Sequence, residues 1–303
     1  MKKTISNSLC TIFLLLIAGL LNNCSNPVDK KNDWELVSSN HQFPEGPAWD
    51  YDNTLYLSNC YGGWITRITN GEIDTLVSDT DSLVQNTNGL TVGKDGNIYA
   101  CDYGLGLILK ITPEGEVSKF IPGYKKEPFN RPNDLVFDKN GNLYFTDPKS
   151  YDENKIDGRL FFYNSSEDQI YQLADSLGFP NGIAISPYDN KLYVCESLRE
   201  RILRFSIKNE KVTDKEIFIV LPGGDPDGIA FDVKGNLYAA HFGSGIVYVI
   251  SPQGEIIQQI KTPGQKPSNI EFGGPYLKTL YLTEDETNAV YKMEFEIPGN
   301  PLR

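Results

Sequence analysis

One short phrase returns six times along the chain, and every copy opens on an oxygen-bearing side chain. The copies begin Glu45-Gly46, Asn88-Gly89, Asn133-Asp134, Asn181-Gly182, Asp227-Gly228 and Ser268-Asn269, and apolar residues follow in alternation. About ten residues later each copy carries an apolar residue and Tyr: Leu55-Tyr56, Ile98-Tyr99, Leu143-Tyr144, Leu192-Tyr193, Leu237-Tyr238 and Leu280-Tyr281. A unit of roughly 41–48 residues cannot bury its own apolar face, so such units form an array or close into a ring.

Each unit reads as four short strands. The alternating phrase is the first. Gly-Asn turns follow it, as in 94–97, 139–142 and 233–236, where hairpins need positive φ. The run 138–142 has a faint likeness to a calcium-binding loop, but its Gly is misplaced and it reads as a hairpin. The Leu-Tyr segment is the second strand. A third follows in segments such as 64–68, 107–111 and 202–205, and a shorter polar fourth in segments such as 72–76 and 116–120. Four antiparallel strands per unit make a propeller blade. The last unit stops after its third strand, and the segment 34–38 stands where a fourth strand would precede Glu45. The pattern predicts an all-β, six-bladed β-propeller over 34–303, closed by pairing 34–38 with residues near 289–295. Closure protects strand edges that would otherwise template aggregation.

Residues 1–23 read as a lipoprotein signal peptide: Lys2 and Lys3 precede an apolar run, 11–21, that is short for a membrane span. Cys24 is then the expected lipidated residue, residues 24–33 a polar tether, and the cell envelope the expected location. An ordinary cleaved signal and an uncleaved anchor are the alternatives. Cys60, Cys101 and Cys195 remain, an odd number for an exported chain, and they fit small buried sites at the ends of second strands. The formal net charge of -12, with no basic block beyond the N-terminus, argues against nucleic acid and favours cations.

In a propeller the first strands line the axis, so Glu45, Asn88, Asn133, Asn181, Asp227 and Ser268 converge at one end of it. All six offer oxygen and none is His or Cys, which argues against zinc, copper or an iron–sulfur cluster. Two carboxylates with several amides suit calcium, and the two charges balance a dication. Asn-Gly and Asp-Gly are also common turn pairs, so a repeated Asn alone could be backbone chemistry; Glu45 and Asp227 argue against that. A second ring, Asn59, Asp102, Asp147, Glu196, His241 and Glu284, falls at the ends of the second strands. It reads mostly as a solvated rim, with support for the metal or contact with substrate as alternatives. No Gly-x-Ser-x-Gly, His-Glu-x-x-His or P-loop is present.

The phrases Pro44-Glu45-Gly46-Pro47, Arg131-Pro132-Asn133-Asp134, Phe145-Thr146-Asp147-Pro148, Phe179-Pro180-Asn181-Gly182 and Asp225-Pro226-Asp227-Gly228 resemble the gluconolactonase/regucalcin family over nearly all of 40–295. Diisopropylfluorophosphatase is a more distant relative of the same kind. The resemblance implies a six-bladed propeller with a divalent metal, often calcium, that hydrolyses sugar lactones or related esters. It implies metal ligation by Glu45, Asn181 and Asp227, with Asn133 beside the metal and Arg131 at a substrate-contacting position. The acid/base role falls on Asp227 or on Asp134. Asn88 joins Asn133 as a candidate for orienting substrate or metal-bound water.

The expected protein is thus a calcium-dependent, lipid-anchored and monomeric hydrolase of a small lactone or ester. A non-enzymatic propeller with a structural calcium, binding a sugar or a protein, is the rival from another class, since fold does not fix function. Hydrolysis of phosphotriesters is a third reading.

Overall fold

The computed structural model of the chain describes residues 33–50, 52–80 and 83–301. The proposed signal peptide, Cys24 and all of the tether except Asp33 lie outside the described residues. Among the described residues twenty-four strands form six four-stranded antiparallel sheets. In five of the sheets the strands are neighbours in sequence, so each of those blades is a meander of consecutive hairpins. Blade one spans 44–78, blade two 87–121, blade three 135–177, blade four 180–220 and blade five 225–261. Blade six takes three strands from 267–294 and its fourth from Glu35–Ser39. The closing strand pairs Glu35 with Lys292 and Ser39 with Ala289, as the missing fourth strand predicts. Among the described residues the only helical turns are two single 3-10 turns, Ser197–Arg199 and Pro275–Leu277.

The alternating pattern has a clear packing consequence. One apolar cluster fills each of the six blade–blade interfaces. Ala48, Tyr56 and Ile65 of blade one, for example, meet Leu90, Ala100 and Leu109 of blade two. Trp49 and Leu57 of blade one meet Val290 of blade six. The two inner strands of blade one are buried along their whole length, while its fourth strand, Glu72–Ser78, is largely exposed. The first strands touch one another in an unbroken cycle around the axis.

That crowding explains the glycine of the repeated phrase. A Cβ at Gly182 would lie 2.0 Å from Asp227 O, one at Gly46 2.3 Å from Asn88 O, and one at Gly228 2.0 Å from Asn269 Oδ1. Gly182 and Gly228 do not have positive φ. The Asn-Gly and Asp-Gly pairs there are therefore contacts between blades rather than turns.

Candidate functional site at the propeller axis

Five of the six first strands break register at the polar residue. The shifts fall between Glu45 and Ala48, Thr87 and Leu90, Pro180 and Ile183, Pro226 and Ile229, and Pro267 and Asn269. In blade three the ladder begins only at Leu135, after Asn133. A bulge re-aims a side chain that the pleat would otherwise direct into a blade interface. Glu45, Asn88, Asn133, Asn181 and Asp227 consequently line one cavity together with Arg131. The cavity measures about 750 Å3 including its open mouth.

The sixth member behaves differently. Ser268 Oγ lies 2.9 Å from Pro44 O and 2.8 Å from Thr283 Oγ1, a buried structural contact. Asp134 also stands apart from the mouth. It occupies the position held by Gly in four other copies, and it lines the narrow axial channel beneath, with Asn269 and Glu271. Its Oδ1 accepts the Leu135 N–H at 2.9 Å and its Oδ2 the Ile183 N–H at 3.2 Å. Arg131 donates its backbone N–H to Asp147 Oδ1, and its guanidinium lies 5.4 Å from the Tyr103 ring centre.

The floor of the cavity concentrates negative charge in a dry place. Glu45 is 3 % exposed and Asp227 7 %. Burial pushes the Glu45 carboxyl up to about 8, against a hydrogen bond from the Gly46 N–H, and Asp134 adds repulsion. Burial also pushes Asp227 well above the usual carboxylate range, and Glu45, Asp285, Asp225 and Asp134 push it further. Asp285, beyond the repeated phrase, is a third buried carboxylate here. Burial, then Glu45 and Glu284, raise it to about 10. Asp134 rises to about 7 through burial, opposed by its two backbone donors.

Like charges held this way need a proton or a cation. The donor chemistry fits a hard cation. Asn133 Oδ1 and Asp227 Oδ1 are buried without a hydrogen-bond partner, and so are both oxygens of Asp285. Among the described residues, no group of three or more His, Cys, Asp or Glu is placed to hold a metal by itself. Amide oxygens must complete any shell, as calcium accepts and zinc does not favour.

The second ring is not a solvated rim. Asn59, Asp102, Asp147, Glu196, His241 and Glu284 are all at most 1 % exposed. Each holds the loop that leads into the first strand of its own blade. Asp102 accepts the N–H groups of Gln85, Asn86 and Leu105. Asn59 accepts from Gln42 N, Asp147 from Arg131 N, Glu196 from Gly178 N and Glu284 from Lys266 N. His241 completes the set with Nε2 donating to Leu221 O at 2.8 Å, and burial keeps its pKa low. The acidic character suits a residue that must accept several N–H bonds, and burial follows because those loops close over the strand ends.

Cys60, Cys101 and Cys195 are buried free thiols, as their positions suggest. Cys60 borders the cavity, but burial and nearby carboxylates raise its pKa and keep it a thiol. It donates to Thr87 O at 3.0 Å.

Comparison with known proteins agrees with this fold. The family profile described as the SMP-30/gluconolactonase/LRE-like region matches residues 43–285. The chain belongs to that family. It is 31 % identical over 278 residues to a gluconolactonase of Zymomonas mobilis, covering 81 % of this chain and 77 % of that one. It is 31 % identical over 235 residues to diisopropyl-fluorophosphatase of Loligo vulgaris, covering 70 % and 72 %. The solved structure of a gluconolactonase from Xanthomonas campestris superposes with a TM-score of 0.76 at 26 % identity, over 87 % of this chain and 89 % of that one.

The cavity wall lies outside the repeated phrase. Phe43, Tyr61, Tyr103, Tyr151, Phe179 and Phe242 line it. A signal existed: Phe43, Arg131, Phe179 and Asp225 each stand two residues before a ring member, and all four line the cavity. Tyr151 comes from the irregular segment 150–158, pinned by Ser150 N and Oγ on Asp157.

Proposed function

We propose that the chain is a calcium-dependent hydrolase of lactones or related esters. The observation that carries this is an oxygen-only cavity floor with buried, uncompensated carboxylates, in a family whose matched relatives include named gluconolactonases. Glu45, Asn181, Asp227 and Asn133 are the residues that would hold the ion, with Asp285 supplying further negative charge nearby. A bound divalent cation supplies Lewis-acid polarisation of the ester carbonyl.

The chain's own groups do the rest. Asn88 and Asn133 orient the substrate from adjacent blades, and Arg131 offers a cation at the mouth. Asp227 takes a proton from water as the water oxygen bonds to the carbonyl carbon. Collapse breaks the ring C–O bond, the departing oxygen receives that proton, and a hydroxy acid leaves. Asp227 suits the base role better than Asp134, because it lines the cavity and its Oδ1 has no hydrogen-bond partner, while Asp134 lines the channel with both oxygens engaged.

The decisive assay measures full-length detergent-solubilised protein on a panel of lactones and esters, with and without chelator. Expected is hydrolysis that chelation abolishes and calcium restores. Activity indifferent to both chelation and Asp227→Asn overturns the mechanism. Metal-dependent melting with no hydrolysis of any substrate favours the binding-protein reading instead.

We also infer attachment to the cell envelope through a lipid on Cys24, on the pattern of residues 1–24. Metabolic labelling with an alkyne fatty acid should mark the wild type and not Cys24→Ala. Equal labelling of both removes the inference.

A further inference from the structure

The wall of the cavity carries a substrate preference that the axial residues do not, and the inference rests on the hydrolytic reading above. Six aromatic side chains from five blades ring the mouth: Phe43, Tyr61, Tyr103, Tyr151, Phe179 and Phe242. Their placement is built, not incidental. Phe43 and Phe179 hold φ of 57° and 56°, the left-handed region that bulky residues avoid. Such strain costs on the order of 1–3 kcal/mol and persists where the surroundings impose it. Here the clamps Asn59 and Glu196 fix the adjacent backbone at Gln42 and Gly178. Phe43 packs against Tyr61 at 4.4 Å between ring centres, and Tyr151 meets Phe179 edge-on at 5.1 Å.

Three polar groups of this wall are already committed. Tyr151 donates to Asp225 Oδ2 at 2.7 Å, Tyr103 to Cys60 O at 3.3 Å and Ser197 to Pro226 O at 2.8 Å. Asn133 and Asn181 on the floor belong to the proposed cation shell, which leaves Asn88, Arg131 and the Tyr61 hydroxyl open to a substrate. A substrate with more hydroxyls than these three groups can pair would bury the rest against aromatic faces without partners, which costs binding. A flat apolar group would instead gain area burial and ring–ring contacts.

We propose that this collar makes the enzyme selective for lactones and esters bearing an aryl or comparably flat apolar group, over polyhydroxylated sugar lactones. The reacting carbonyl sits on the axial floor, and the aryl group stands among the aromatic side chains of the wall.

The test compares kcat/KM for a benzo-fused δ-lactone and for glucono-δ-lactone on the full-length calcium-loaded protein. A non-hydrolysable benzo-fused lactam is titrated in parallel by calorimetry. Expected is at least a tenfold preference for the benzo-fused lactone. Phe179→Ala and Tyr151→Ala should each cut that preference severalfold, mainly through KM, and weaken the lactam similarly. Tyr151→Phe, which keeps the ring, should retain both. Thermal melts identify any variant that fails to fold, and the wild-type comparison does not depend on them. Equal or better turnover of glucono-δ-lactone overturns the proposal, as do collar variants that leave the ratio unchanged. Should no lactone be hydrolysed while the lactam binds and the collar variants weaken it, the collar stands and the hydrolytic reading falls. Should glucono-δ-lactone turn over while the lactam fails to bind, the collar falls alone.

Discussion

At the scale of the residue, the six equivalent positions do three different things. Glu45 and Asp227 supply charge, three Asn supply neutral oxygen, and Ser268 has become a structural hydrogen bond. Asp227→Asn keeps the shape and removes both the charge and the base. We expect kcat/KM to fall by a factor of about 100 or more, the usual scale for a general base, with weaker calcium binding by calorimetry. The glycines beside these residues are equally exacting. Gly182→Ala places a methyl group 2.0 Å from the backbone oxygen of Asp227, which cannot retreat from the packed axis. A loss of at least about 1–3 kcal/mol is expected in chemical denaturation, as for other overpacked interiors. Wild-type stability in that variant would show that the blades can separate at the axis.

At the scale of the element, each blade is held to its incoming loop by one buried acceptor or donor at the end of its second strand. Asp102 and Glu284 are the most heavily used, each with three backbone N–H partners. Asp102→Ala leaves its partly buried donors unpaired, at roughly 1–3 kcal/mol for each one that finds no water. The melting temperature should drop by many degrees, whereas Asp52→Ala on the exposed turn 52–53 should barely change it. Equal effects would refute the clamp. Closure is testable at the same scale. Deleting 34–38 strips the outer edge of blade six and should produce a less stable protein that aggregates through the opened edge, visible in light scattering.

How much was legible in the sequence divides along the same line. The blade count, the closure strand and the ring of oxygens were visible because the repeat is written in local alternation and in one polar position per unit. The clamps were misread as a solvated rim, since strand ends are usually wet and nothing local says that a loop folds back over them. Asp285 was missed because it lies outside the repeated phrase and reaches the site only through blade six. The aromatic wall had a partial signal at Phe43 and Phe179, but Tyr61 and Tyr151 are ordinary loop residues until the ring brings them together.

At the scale of the whole molecule, charge sets the response to pH. Glu45, Asp134 and Asp285 have folded-state values of about 8, about 7 and about 10, above the ordinary carboxylate value of roughly 4. Between those limits the metal-free native state holds more protons than the unfolded chain, so stability falls as pH rises. The metal-free protein should therefore melt highest near pH 4–5 and progressively lower toward pH 8. Calcium should reverse the trend at neutral pH, where the carboxylates are free to bind it. Scanning calorimetry across pH, with and without chelator, checks both signs. A metal-free protein that gains stability from pH 5 to 8 contradicts the uncompensated floor.

The sequence by itself determined a closed array of six four-stranded units with oxygen side chains at its axis. Periodicity and turn chemistry are local, and a period fixes what must stack. Only the tertiary structure decided which of those oxygens share a cavity, which carboxylates lie dry beside one another, and which rings wall the mouth. Those properties depend on distances between blades, and closure of the ring sets those distances.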